Sequence, residues 1–168
     1  MRHFLVFALL LVAVRGQAQE ENSSAPVLVS IDAGGLDSLR TASRGRVLVL
    51  NFWATWCRPC VEEFPELLKL RREFGRRGLD VVFVSIDDDD AGTKQKVLAF
   101  LTKRKASGRF YIKREGDDEA FISAVSPKWS GALPATLIYD SAGRLVEMVV
   151  DQMTYFELEK IVKPLLSR

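Results

Sequence analysis

Two residue types are scarce in this chain. Histidine occurs once, as His3, and cysteine twice, as Cys57 and Cys60. A structural zinc site takes four Cys or His ligands, and this inventory does not supply them. His3 also lies in an N-terminal stretch that reads as removable. Without it there is no Cys–His hydrolytic dyad and no histidine-completed copper site. Copper(I) held by two thiolates alone stays open. A charge surplus is missing as well. Setting aside Arg2 and Arg15 of that stretch reduces the 24 Lys and Arg to 22, equal to the 22 Asp and Glu. No basic excess argues for nucleic acid or an anionic membrane surface. The apolar run Phe4 to Val14 has only eleven residues, whereas a bilayer-spanning helix needs about 20.

That run fits an export signal instead. Met1-Arg2-His3 is a short positive start, and Gly16 and Ala18 place small residues at −3 and −1 of a cut before Gln19. The expectation is a signal peptide over 1–18, cleaved rather than kept as an anchor, and a polar lead-in over 19–26. One domain over 27–168 follows. A chain of 168 residues, 48% hydrophobic and 27% charged, has the length and composition of a globular domain with a sizeable core.

Along that domain, strand and helix patterns alternate. Val27 to Ile31, Val47 to Trp53 (VLVLNFW) and Leu79 to Ile86 (LDVVFVSI) read as strands. A short helix or turn is expected over Leu36 to Ala42 and helices over Arg58 to Phe74, Thr93 to Lys105 and Asp117 to Val125, with a brief strand over Phe110 to Ile112. Ala135 to Tyr139 and Leu145 to Val150 form a hairpin around Asp140-Ser141-Ala142-Gly143. Thr154 to Glu157 is a capping box for a last helix. The order predicts an α/β/α three-layer sandwich on a central mixed sheet. Asp87 to Asp90 lacks calcium-loop spacing and reads as a solvated loop opening the next helix. Lys103-Arg104-Lys105 reads as a favourable positive helix end.

Both thiols fall in NFWATWCRPC, residues 51 to 60. A framework of structural disulfides scatters several Cys through a small exported chain, and a bond across two residues constrains the unfolded chain little. Cys57 instead falls where the strand VLVLNFW gives way to a helix. Unpaired N–H groups there favour a thiolate. Arg58 adds a positive neighbour, and Pro59 lacks a donor that the first helical turn does not use. Cys60, one turn in, is more sheltered. An accessible thiolate with a second thiol in reach is what thiol–disulfide exchange requires.

The stretch Phe52 to Cys60 resembles the WCxxC signature of the thioredoxin superfamily. Glu62-Glu63-Phe64-Pro65-Glu66-Leu67 after it is similar to the TlpA/ResA-type exported thiol-disulfide oxidoreductases. Gly131-Ala132-Leu133-Pro134-Ala135-Thr136 is a second landmark. The resemblance covers nearly all of the chain from Val27 onward. It implies a thioredoxin-like fold and an exported, periplasmic protein-disulfide reductase. Cys57 is then the nucleophile and Cys60 the resolving thiol. Pro134 is expected to be cis and to face the dithiol, with Leu133 pairing an extended substrate segment beside Cys57 and Trp56 at the edge of that substrate site. Asn51 stands where thioredoxin has a buried Asp, and Glu63, three residues after the second Cys, is expected to move protons for Cys60. Pro65 should kink the helix.

No bound organic cofactor and no metal are implied beyond the redox-active Cys57–Cys60 pair. Expected partners are protein thiols and disulfides, with a membrane or exported thiol protein as electron donor, and the chain is expected to be monomeric. The cytochrome-maturation branch carries an acidic residue after its cis-Pro, where this chain has Ala135-Thr136, which weighs against a role with apocytochrome c. The alternatives are a thiolate copper(I) carrier and a thiol peroxidase. The peroxidase needs PxxxTxxC, and Thr55 stands two residues before Cys57 with no Pro upstream of it near the strand. Trp53 and Trp56 read as core and site-edge packing. Trp129 fits equally a substrate surface or the hairpin layer.

Overall fold

The structure, a computed structural model, describes residues 25–166. The expected signal peptide and nearly all of the lead-in lie outside the described residues. Strands and helices follow one another as β1 (Val27–Ile31), α1 (Ala33–Ala42), β2 (Val47–Trp53), α2 (Arg58–Phe74), β3 (Leu79–Ser85), α3 (Ala91–Lys103), β4 (Arg109–Lys113), α4 (Asp118–Val125), β5 (Ala135–Tyr139), β6 (Leu145–Val149) and α5 (Tyr155–Leu166). The strands form one mixed sheet in the order β1-β4-β3-β2-β5-β6. The first four of that order are parallel, β5 pairs antiparallel with β2, and β6 pairs antiparallel with β5. Among the described residues no helix is long and apolar enough to cross a membrane.

β2 lies inside the sheet and is buried along its whole length, which is why it reads as a near-continuous apolar run. Strand alternation sends Val47, Val49 and Trp53 to the face covered by α2, α3 and α5, and Leu48, Leu50 and Phe52 to the face covered by α1 and α4. Asn51, the one polar residue of the strand, shares the α2 side by the same alternation. That side is rich in rings. Trp53 and Phe64 lie 4.7 Å apart by centroid, and Phe64 and Phe83 4.5 Å.

Two helices start earlier than periodicity suggests. Asp32 accepts from the Gly35 N–H at 2.9 Å and starts α1 at Ala33, where Gly34 and Gly35 hid the helix by their low propensity. Asp90 accepts from the N–H groups of Gly92 (2.8 Å) and Thr93 (3.0 Å) and starts α3 at Ala91. The capping box of α5 is formed: Thr154 N–H donates to Glu157 at 2.8 Å, and Glu157 N–H to the Thr154 hydroxyl at 3.4 Å.

α2 continues through Pro65. The missing N–H of Pro65 frees the Val61 carbonyl, and the Arg104 guanidinium donates to it at 3.4 Å while lying over Phe100. Arg104 is therefore more than a positive helix end. It repairs the gap that a proline leaves in the neighbouring helix.

Candidate active site

β2 ends at Trp53, the chain turns through Ala54 to Trp56, and α2 begins at Arg58. Cys57 is the N-cap residue. Its N–H donates to the Ala54 carbonyl at 3.2 Å, and its Sγ accepts from the Cys60 N–H at 3.3 Å. The two sulfurs are joined in a disulfide, with the Cα atoms 5.3 Å apart. Cys57 keeps 6% exposure and Cys60 2%. The contrast expected between an open and a sheltered thiol is thus small in the disulfide form. The open feature is Trp56, 70% exposed beside them. Pro59 sits in the first turn of α2. Arg58 turns its charge to solvent: its Nε donates to Glu62 at 2.9 Å in an exposed pair.

One turn past Cys60, Glu63 is buried at 1% exposure. Oε1 accepts from the Asn51 amide at 3.2 Å and from the Thr136 hydroxyl at 3.4 Å, and Oε2 from the Met153 N–H at 3.2 Å. Asn51 also donates to Thr136 at 3.0 Å. Burial raises the Glu63 carboxyl from 4.5 to about 7, against the lowering pull of the Met153 and Thr136 bonds and helped by the negative charge of Asp151. Glu63 is therefore poised to take or release a proton near neutral pH. Thr136 and the Met153 backbone were not foreseen. Thr136 had a signal, since the antiparallel pairing of β2 and β5 sets it opposite Asn51. The Met153 N–H had none, because a backbone donor leaves no trace in residue identity.

The Leu133–Pro134 bond is cis. Ala135 pairs with Phe52, so Pro134, one residue earlier, stands at the end of the sheet from which the dithiol loop departs. Leu133 packs against the hydrophobic clusters of both faces. The approach is rigid. Trp129 is buried on Phe52 at 4.8 Å, and its indole N–H donates to the Ala132 carbonyl at 2.9 Å. It thus fills the layer and pins the loop rather than offering a substrate surface. Gly131 has φ +85°, and a Cβ there would meet Ile122 at 2.9 Å, so only glycine fits.

The acidic run divides into separate tasks. Asp90 caps α3, and Asp89 pairs with Lys94 and accepts from Ser30. Asp87 is not solvated: it is 3% exposed and accepts from the backbone and hydroxyl of Thr55.

A dithiol at a helix start, a buried carboxyl group beneath it and a cis-Pro segment at the same end of the sheet define a thioredoxin-fold thiol-disulfide oxidoreductase. The Redoxin family pattern matches residues 20–162. The chain belongs to that family. It is 31% identical over 141 residues to the thioredoxin-like protein YneN of Bacillus subtilis (strain 168), covering 84% of this chain and 78% of that one. With the thiol-disulfide oxidoreductase ResA of Bacillus thuringiensis (strain Al Hakam) it shares 27% identity over 142 residues, or 83% and 75% of the two chains. The crystal structure of a thiol:disulfide interchange protein of the thioredoxin family from Chlorobium tepidum TLS superposes with a TM-score of 0.62 at 20% identity, over 75% of this chain and 83% of that one. At that identity the likeness speaks for the fold.

Proposed function

We propose that this protein is an exported reductase of protein disulfides. The observation that carries the proposal is the buried Glu63 carboxyl group, one turn from Cys60 and raised to about 7. A dithiol that only formed a static bond has no use for a proton-exchanging group in a desolvated pocket. The Cys57 thiolate attacks one sulfur of a substrate disulfide, forming a mixed disulfide and expelling a substrate thiolate, which takes a proton from solvent. Glu63 accepts the proton of Cys60. The Cys60 thiolate attacks Sγ of Cys57, and the second substrate sulfur leaves and is protonated. Two electrons and two protons pass to the substrate, and the Cys57–Cys60 disulfide remains. A membrane or exported thiol protein restores the dithiol by the reverse exchange.

Leu133 and Pro134, with Trp56 at the rim, receive an extended stretch of the substrate as an added strand. Asn51, Arg58 and Pro59 shape the site without reacting. The sulfurs carry the electrons, so no organic cofactor or metal is called for, and a monomer suffices. Export rests on the segment 1–18 and its cut before Gln19. The test is turnover of a protein disulfide by the purified protein with a dithiol reductant, set against turnover of hydrogen peroxide. Reduction of the disulfide with negligible peroxide turnover supports the reductase. Peroxide turnover without disulfide reduction overturns it in favour of a peroxidase.

A further inference from the structure

The β2–β3 ladder closes with the Ile86 N–H donating to the Trp53 carbonyl at 2.8 Å. Beyond that point the strands part, because β2 runs into the turn that presents Cys57. The Thr55 N–H is left without a strand partner. A side chain takes over: Asp87 Oδ2 accepts from the Thr55 N–H at 2.9 Å, and Oδ1 from the Thr55 hydroxyl at 2.5 Å. The Ser85 hydroxyl donates to Oδ2 at 2.6 Å and accepts from the Asp87 N–H at 3.0 Å. Asp87 and Ser85 are both buried. One side chain thus grips the turn by a main-chain and a side-chain donor, two residues before Cys57.

We infer that Asp87 is a positioning residue for Cys57, acting through Thr55 to hold the Ala54–Trp56 turn so that Sγ of Cys57 lies over the first N–H groups of α2. The inference rests on Cys57 being the exchanging thiol. The Cys60 N–H to Cys57 Sγ contact of 3.3 Å is the interaction that the turn must preserve. A loosened turn lets Sγ drift from these donors, and the thiolate loses its stabilisation. The charge of Asp87 has the opposite effect on a nearby thiolate, so position and charge are separable by sign. Asp87 borders a surface hollow whose other charged lining groups are Asp88, Asp89, Asp90, Lys113, Glu115 and Asp118. Work at high salt screens these where they are exposed.

The experiment is alkylation of the fully reduced protein by iodoacetamide across pH at high salt, with the modified thiol located by mass spectrometry. Thr55→Val keeps the backbone bond and the bulk but removes the hydroxyl. It is expected to raise the midpoint of Cys57 alkylation, read as about threefold slower reaction below that midpoint. Thr55→Ser should restore the parent profile, and Asp87→Ala should also slow the reaction, by less than the lost grip alone would, because the lost charge acts the other way. If Asp87→Ala does not fold, the Val and Ser pair decides alone. An unmoved profile for Thr55→Val, or a faster reaction in either variant, overturns the inference. Because the assay uses reduced thiols, it holds whether or not the parent reduces a protein disulfide, and a parent that reduces none overturns the reductase proposal separately.

Discussion

Among the described residues only two acidic side chains are buried, and they lie on either side of the dithiol. Glu63 sits under Cys60, 1% exposed, and Asp87 sits ahead of Cys57, 3% exposed. Each accepts three hydrogen bonds. Those to Glu63 are 3.2–3.4 Å long, and those to Asp87 are 2.5–2.9 Å. Long bonds leave desolvation in command, so Glu63 is raised to about 7 and can exchange a proton at working pH. Short bonds from two hydroxyls and an N–H make Asp87 a grip on the backbone. The same chemical group is thus left ready to titrate near neutral pH or bound to a backbone turn, depending on how closely its donors approach.

The largest effect should come from removing what only Glu63 serves. Cys60→Ser leaves the first attack by Cys57 intact and is expected to stall as a mixed disulfide, with steady-state turnover abolished. Gel-shift trapping of substrate through Cys57, and none through residue 60 in Cys57→Ser, checks the assignment.

Next comes Glu63→Gln, which is expected to slow exchange on the order of tenfold to a hundredfold and to erase the inflection near neutral pH from the rate profile. Its stability should move the other way. Glu63 goes from 4.5 to about 7 on folding, so the folded state holds a proton that the unfolded chain releases. Parental stability therefore falls as pH rises through that window, and Gln removes the fall. The variant should match the parent below the window and exceed it by up to about 3 kcal/mol above it, by chemical denaturation at acid and alkaline pH.

Thr136→Val takes away a hydroxyl that lowers the Glu63 value. The neutral-pH inflection in the exchange profile should shift upward by a fraction of a unit, with the Cys57 alkylation profile unmoved. A shift in both would mean that the two carboxyl groups are not independent. The smallest effect is expected from Arg104→Ala, which touches neither. It leaves the Val61 carbonyl without its donor and should lower stability by about 1 kcal/mol in denaturant melts, without change in either pH profile.

The strands and helices of this chain were legible because the burial of β2 on two faces and the one-sided burial of the helices write strong periodicities. The dithiol and Glu63 were legible because their spacing is local. What the sequence hid are relations between distant positions. Asp87 looked like one of four exposed acids, and only the parting of β2 and β3 shows that it replaces a ladder bond at Thr55. Arg104 looked like a helix-end charge, and only the packing of α3 against α2 hands it the carbonyl freed by Pro65. The Met153 N–H arrives from the far end of the chain, carried by the β6–α5 connection.

The placement of the three tryptophans has an optical consequence. Trp53 and Trp129 are buried, at 1% and 4% exposure, in aromatic surroundings that do not depend on solvent. Trp56 faces solvent at 70% and is joined through one peptide bond to a disulfide-bonded cysteine. An excited indole next to a disulfide loses its energy by passing an electron to the sulfur pair, a route that closes when the pair becomes two thiols. The red-shifted part of the emission should therefore brighten on reduction while the blue part stays level. The molecule carries its own gauge of redox state, readable in a cuvette without a label.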